Sequence, residues 1–143
     1  MPSSADDDEI EEEMMQDDDE QESKKSDEIE EESVLDWEDG VERIGGNGET
    51  LVGLGKLFLT EAPRLMHEIQ KTMEGGDARQ LRRAAHTLKG SADVFSAGPA
   101  VAAALAMERI GKEGRFEDSA EALRVLKIEI DRLIPAIEKK VGV

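Results

Sequence analysis

"DARQLRRAAHTLKGSADVF", residues 77–95, reads as one amphipathic helix. Stepping about 100° per residue from Leu81, Ala85, Leu88, Ala92 and Phe95 fall within about 40° of it, with Ala84 near about −60°. That arc is a core stripe. Asp77 is a good N-cap, and Gln80, three residues on, is its capping-box partner. The other face differs in kind. His86 lies at about 140°, between Lys89 and Arg82 (about 80° and 100°) and Arg79, Gly90 and Arg83 (about 160° to 200°). A histidine ringed by cations therefore faces outward, one turn from a residue without a side chain. Glycine inside a helix costs about 1 kcal/mol relative to alanine, so Gly90 marks a need for space beside the ring.

The helical period continues on both sides of this segment. "SVLDWEDGVERIGG" (33–46) is a short first helix, with Ser33 as candidate cap and Gly45-Gly46 as its stop. Its Trp37, Val41 and Ile44 share a face that lids one end of the core. A long helix spans about residues 49–74, with Leu51, Phe58, Ala62, Leu65, Met66, Ile69 and Met73 in one stripe. Pro63 predicts a kink near Leu59 to Ala62. "GPAVAAALAMERIGKEG" (98–114) opens with Pro99 in its first turn and closes at Gly111 or Gly114. Its alanines permit close approach of a neighbour. "FEDSAEALRVLKIEIDRLIPAIEKK" (116–140) is the last helix, with Leu123, Leu126, Ile130, Leu133 and Ile137 facing the core and Pro135 bending its last turns. No sustained period-2 alternation appears, and the connections are short. The expected fold is all-α: an antiparallel up-down-up-down four-helix bundle with a short N-terminal helix packed across one end.

Charge divides the 143 residues. Residues 1–33 hold 17 acidic residues and two lysines, a net −15 of the chain's −17. The remainder, 34–143, has 18 acidic and 16 basic residues, close to neutral. With no aromatic residue and few aliphatics, 1–33 reads as a disordered acidic tail or linker, and more sharply as an interaction tail for a basic partner. Residues 34–143 read as the helical domain. The acidic balance argues against nucleic acid and anionic membrane as partners. There is no cysteine, so no disulfide framework and no thiolate metal site. The N-terminus lacks the basic and apolar regions of a signal peptide. No apolar run reaches the length of a membrane span, so no membrane insertion is expected and the chain reads as cytoplasmic.

The outer face of the 77–95 helix has a chemical sense. A neutral imidazole exposed on a helix is a nucleophile near neutral pH. It can attack a phosphoryl group brought by another protein. Lys89, one turn on, can pair with phosphoryl oxygens. Arg79, Arg82 and Arg83 add a potential favourable to an anionic transfer centre. Gly90 lets a partner's active site close over the ring. The bland alternative is a surface histidine beside a weak spot in a helix. His-x-x-Lys has no metal-ligand logic, so no metal site is expected. His67 lacks a following lysine-glycine pair and reads as ordinary surface. Leu59 flanks the long helix's stripe, either as peripheral core or as part of a docking patch.

"AAHTLKGSA" (84–92) resembles the phosphoacceptor motif of histidine-containing phosphotransfer (HPt) domains. "LFLTEAPRLMHEI" (57–69) is similar to that family's preceding helix, and "LAMERIGKEG" (105–114) to the following one with its Leu-x-x-Glu pattern. The likeness covers about residues 35–140. It implies a four-helix bundle that relays phosphoryl groups in two-component signalling. In that case His86 is the phosphorylated residue, Lys89 stabilises the phosphoryl group and Gly90 gives access. The phosphoryl group passes from a receiver-domain phosphoaspartate to His86, then to another receiver's aspartate. The partners are response-regulator receiver domains, including those of hybrid sensor histidine kinases. Mg²⁺ belongs to the receiver, and this chain binds no cofactor. One departure is "DVFSA" (93–97), where relatives often carry a small or amide residue and then Phe-Gly-Ala. Val94 and Ser96 leave the shape of that helix end open.

A kinase is excluded at this level, since no Gly-rich phosphate loop or nucleotide-binding α/β pattern is present. A non-catalytic helical adaptor that docks receivers without being phosphorylated is the rival reading. An enzyme using His86 as general base is weaker, because no second acid is evident.

Overall fold

The computed structural model describes residues 34–143. The expectations for the acidic stretch, and for Ser33 as a cap, fall outside them. Asp36 caps the first helix, α1 (Trp37–Arg43), its carboxylate accepting the Asp39 N–H at 3.0 Å. The reason lies in the two residues before it. Val34 and Leu35 are buried in the core, and the Asp36 N–H donates to the Phe95 carbonyl at 3.1 Å. The segment ahead of α1 is thus committed to packing.

Asn47 caps α2 (Gly48–Gly75) by accepting the Thr50 N–H at 3.1 Å. The helix continues through Pro63 and ends at Gly76. Asp77 caps α3 (Ala78–Asp93) through the Gln80 N–H at 3.1 Å, as its sequence predicts. α4 (Gly98–Glu113) begins with Pro99 in its first turn. Of the two candidate stops, Gly114 is the real one, in the left-handed conformation at φ +70°. Gly111 lies inside α4 and is buried. The last helix starts later than its sequence suggests. A 3₁₀ turn takes Phe116–Asp118, and α5 runs Ser119–Val141.

α2 to α5 pack as an antiparallel bundle in which each helix lies against its sequence neighbours and α5 returns to α2. Core positions follow the expected stripes. Leu81, Ala84, Ala85, Leu88 and Ala92 of α3 are all buried, as are Leu51, Phe58, Ala62, Leu65 and Ile69 of α2. Met66 and Met73 only edge the core. Burial of each large aliphatic or aromatic side chain contributes roughly 1.5–3 kcal/mol. Among the described residues, no helix is long and apolar enough to cross a membrane.

α1 closes one end. Trp37 stacks on Phe95 with ring centroids 5.9 Å apart, and Phe58 meets Phe95 edge-on at 5.6 Å. Gly40 allows the approach, since a Cβ there would sit 2.9 Å from the Val94 carbonyl oxygen. The helix end that the sequence left open is also settled here. Ser96 takes a left-handed conformation at φ +50°, which strains any residue with a side chain. Its hydroxyl accepts from Arg43 at 2.9 Å and donates to the Asp39 carboxylate. Arg43 also donates to the Asp93 carbonyl at 2.8 Å and pairs with the Asp93 carboxylate at 2.9 Å. These bonds from α1 hold the strained turn.

Candidate functional site

The alternation of core and surface on α3 places His86 in solvent, its side chain 66% exposed. Arg79, Arg82 and Arg83 are exposed around it, and their guanidinium groups have no ion-pair partner among the described residues. Gly90 is exposed, with nothing within 4 Å of where a Cβ would stand. His86, Lys89, Gly90 and the three arginines therefore share one outer face.

One residue on that face was not assigned a role from the sequence. Glu108 of α4 reaches between His86 and Lys89. Its Oε2 lies 2.9 Å from His86 Nδ1, and its Oε1 lies 2.7 Å from Lys89 Nζ. The carboxylate is only 15% exposed and Lys89 26%. Burial, the largest single influence, pushes the Glu108 carboxyl up. Lys89 and then His86 together outweigh it and hold the group below the ordinary carboxylate range. Glu108 is thus ionised at neutral pH and can only accept. Nδ1 must be the donor, so in the neutral ring Nε2 carries the free lone pair. The sequence signal was slight: Glu108 is a charge beside the core residue Met107, in a helix whose buried residues are all uncharged.

A mostly apolar shelf lies beyond Gly90, lined by Leu54, Leu57, Phe58 and Glu61 of α2, Ser91 of α3, and Val94 and Phe95 just past its end. Leu57 is its exposed member, at 55%. Leu59 is half-buried and packs against the core. His67 is exposed elsewhere on α2. Among the described residues, no three acidic or histidine side chains converge to hold a metal ion.

Comparison with curated proteins and with solved structures gives no significant match. A family does match: the Hpt domain, over residues 54–136. That span runs from the second turn of α2 nearly to the end of α5 and includes His86, Lys89, Gly90 and Glu108. With more than half of its residues inside the match, and with the helical bundle those residues form, the chain belongs to the Hpt domain family, a phosphorelay element whose partners are receiver domains.

Proposed function

We propose that His86 accepts a phosphoryl group from a receiver-domain phosphoaspartate and passes it to an aspartate of another receiver. The observation that carries this reading is the Glu108–His86 hydrogen bond, which directs the Nε2 lone pair outward. In the forward step Nε2 attacks phosphorus, an N–P bond forms, and the P–O bond to the aspartyl carboxylate breaks. The ring, now bearing Nδ1–H and the Nε2 phosphoryl group, is cationic, and the Glu108 carboxylate 2.9 Å from Nδ1 stabilises it. The reverse step discharges the group to an aspartate. Lys89, paired with Glu108 one turn from His86, meets the incoming phosphoryl oxygens. Mg²⁺ and the acidic pocket belong to the receiver.

Docking in this reading uses the whole outer face. The receiver closes over Gly90, its apolar surface meets the Leu57 shelf, and Arg79, Arg82 and Arg83 steer the encounter. Leu59 packs against the core and is not among the residues that line the shelf. The test is to incubate the chain with a phosphorylated receiver and Mg²⁺. Acid-labile, alkali-stable phosphate on this chain is the expected product. Tight binding to the receiver with no such phosphate would instead make the chain an adaptor.

A further inference from the structure

Glu108 acts on His86 across a helix boundary, so something must fix how far apart α3 and α4 stand. At Gly111 the backbone of α4 comes against the backbone of α3. A Cβ on Gly111 would lie 2.7 Å from the Arg82 N, 2.9 Å from the Ala78 O and 2.9 Å from the Arg82 Cα. All three are backbone atoms, so no side chain can swing aside. To reach ordinary contact at 3.4 Å, the backbones would have to part by about 0.7 Å.

The two helices are antiparallel. One turn back along α4 from Gly111 is Glu108, and one turn forward along α3 from Arg82 is His86. The backbone contact and the catalytic hydrogen bond are thus consecutive rungs of one interface. Ala104 shares the face of Gly111 two turns back and is fully buried, so Glu108 sits between two positions with minimal side chains. A hydrogen bond of 2.9 Å lengthened by such a parting falls outside effective range.

We infer that Gly111 is a positioning residue of the phosphotransfer site: its missing side chain sets the α3–α4 spacing at which Glu108 holds the Nδ1–H of His86. The inference rests on the reading of His86 as nucleophile for its consequence in rate, but its geometry can be read without any transfer.

The experiment uses the full chain with ¹⁵N-labelled histidine at alkaline pH, where the imidazoles are neutral. Long-range proton–nitrogen spectra distinguish an Nδ1–H ring from an Nε2–H ring, with His67 as internal reference. Wild type should show His86 as Nδ1–H. Gly111→Ala should move His86 toward the Nε2–H form, as Glu108→Gln does, and leave His67 unchanged. Gly55→Ala is the control. A Cβ there would meet the tip of Val141 at 2.7 Å, far from this face, so it should lower the Tm without touching the His86 signals. Gly111→Ala should also slow phosphoryl acceptance about tenfold, and combining it with Glu108→Gln should add no further loss. If Gly111→Ala fails to fold, Ala104→Val wedges the same interface from the other side of Glu108 and must give the same signature. A folded wedge variant that keeps Nδ1–H, or a loss additive with Glu108→Gln, overturns the inference. Absence of labelling in wild type would overturn the nucleophile reading alone, leaving the spectra to judge Gly111.

Discussion

Glu108 and His86 are 22 positions apart in the chain and 2.9 Å apart in space. The helix that displays the histidine therefore does not by itself decide which ring nitrogen is available. A neighbouring helix does, through a carboxylate that is mostly withdrawn from solvent. The family match places the chain among phosphorelay elements, and in the reading proposed above this pair leaves Nε2 of His86 as the attacking atom.

Removing the charge of Glu108 tests that pair. Glu108→Gln should slow phosphoryl acceptance about tenfold while the bundle stays folded. It should also lower stability at neutral pH by about 1.5 kcal/mol, the low end for hydrogen bonds to charged groups. The sign with pH follows from the lowered carboxyl value. Stability contributed by a depressed carboxyl is complete above its unfolded value and fades as pH falls through the folded one. Urea unfolding of both proteins should therefore show a gap at pH 7 that closes in acid. A gap that widens in acid would contradict the assignment.

The two histidines separate exposure from context. Both are on the surface, so simple accessibility would label either. His86→Gln should abolish phosphate incorporation and leave circular dichroism unchanged, because the ring lies off the core and its loss opens no cavity. His67→Gln should be labelled like wild type. Continued labelling of a folded His86→Gln protein would remove the acceptor from α3.

Much of the face was legible because it lies on one helix. The period that buried Leu81, Ala85 and Leu88 also set His86, Lys89 and Gly90 outward together. Glu108 was not legible in the same way: its role is a tertiary contact, and a helical wheel of α4 shows only a charge beside Met107. Gly111 read as a stop signal, since glycine ends many helices. A close backbone approach uses the same residue for a different reason, and only the packing tells the two apart. Ser96 is a third case. Sequence preference assigns that backbone conformation to glycine, and the hydrogen bonds that hold a serine there come from Arg43 and Asp39, more than 50 residues earlier.

Lys89 and Arg82 should differ in kind. Lys89→Ala removes the cation held at 2.7 Å from Glu108, and transfer should fall about tenfold or more at every ionic strength. Arg82→Ala removes an exposed charge with no ion-pair partner among the described residues, so it should act on encounter. Its effect, roughly two- to fivefold at low salt, should vanish by about 0.5 M salt as screening shortens. Stopped-flow transfer rates across a salt series decide between them. Parallel losses would collapse the two roles into one.

Gly90→Gln should fold well and gain up to about 1 kcal/mol of stability, because the position is exposed and glycine is a poor helix former. The same side chain should obstruct a receiver approaching His86, lowering transfer by at least about tenfold while thermal melts shift upward. Unimpeded transfer would mean that the receiver approaches from another side.

Leu57 and Leu59 offer a contrast between docking and packing. Leu57→Ser should weaken receiver binding severalfold with little change in Tm, since the side chain is already exposed. Leu59→Ser should instead lower Tm, because its side chain packs on the core. Isothermal titration with a receiver, paired with calorimetric melts, reads both. A reversed pattern would move the docking shelf to the other side of α2.

The stack of Trp37 on Phe95 makes the protein optically self-reporting. The chain has one tryptophan and no tyrosine, so its intrinsic fluorescence comes from a single address at the α1 end of the bundle. Phe95 lies nine residues from His86 along the same chain segment, about 13 Å at helical rise. Emission from Trp37 is thus a remote witness to the helix that carries His86. A spectral change on phosphorylation would register movement transmitted along α3 to the aromatic lid, and a silent tryptophan would show that the relay works on a rigid scaffold.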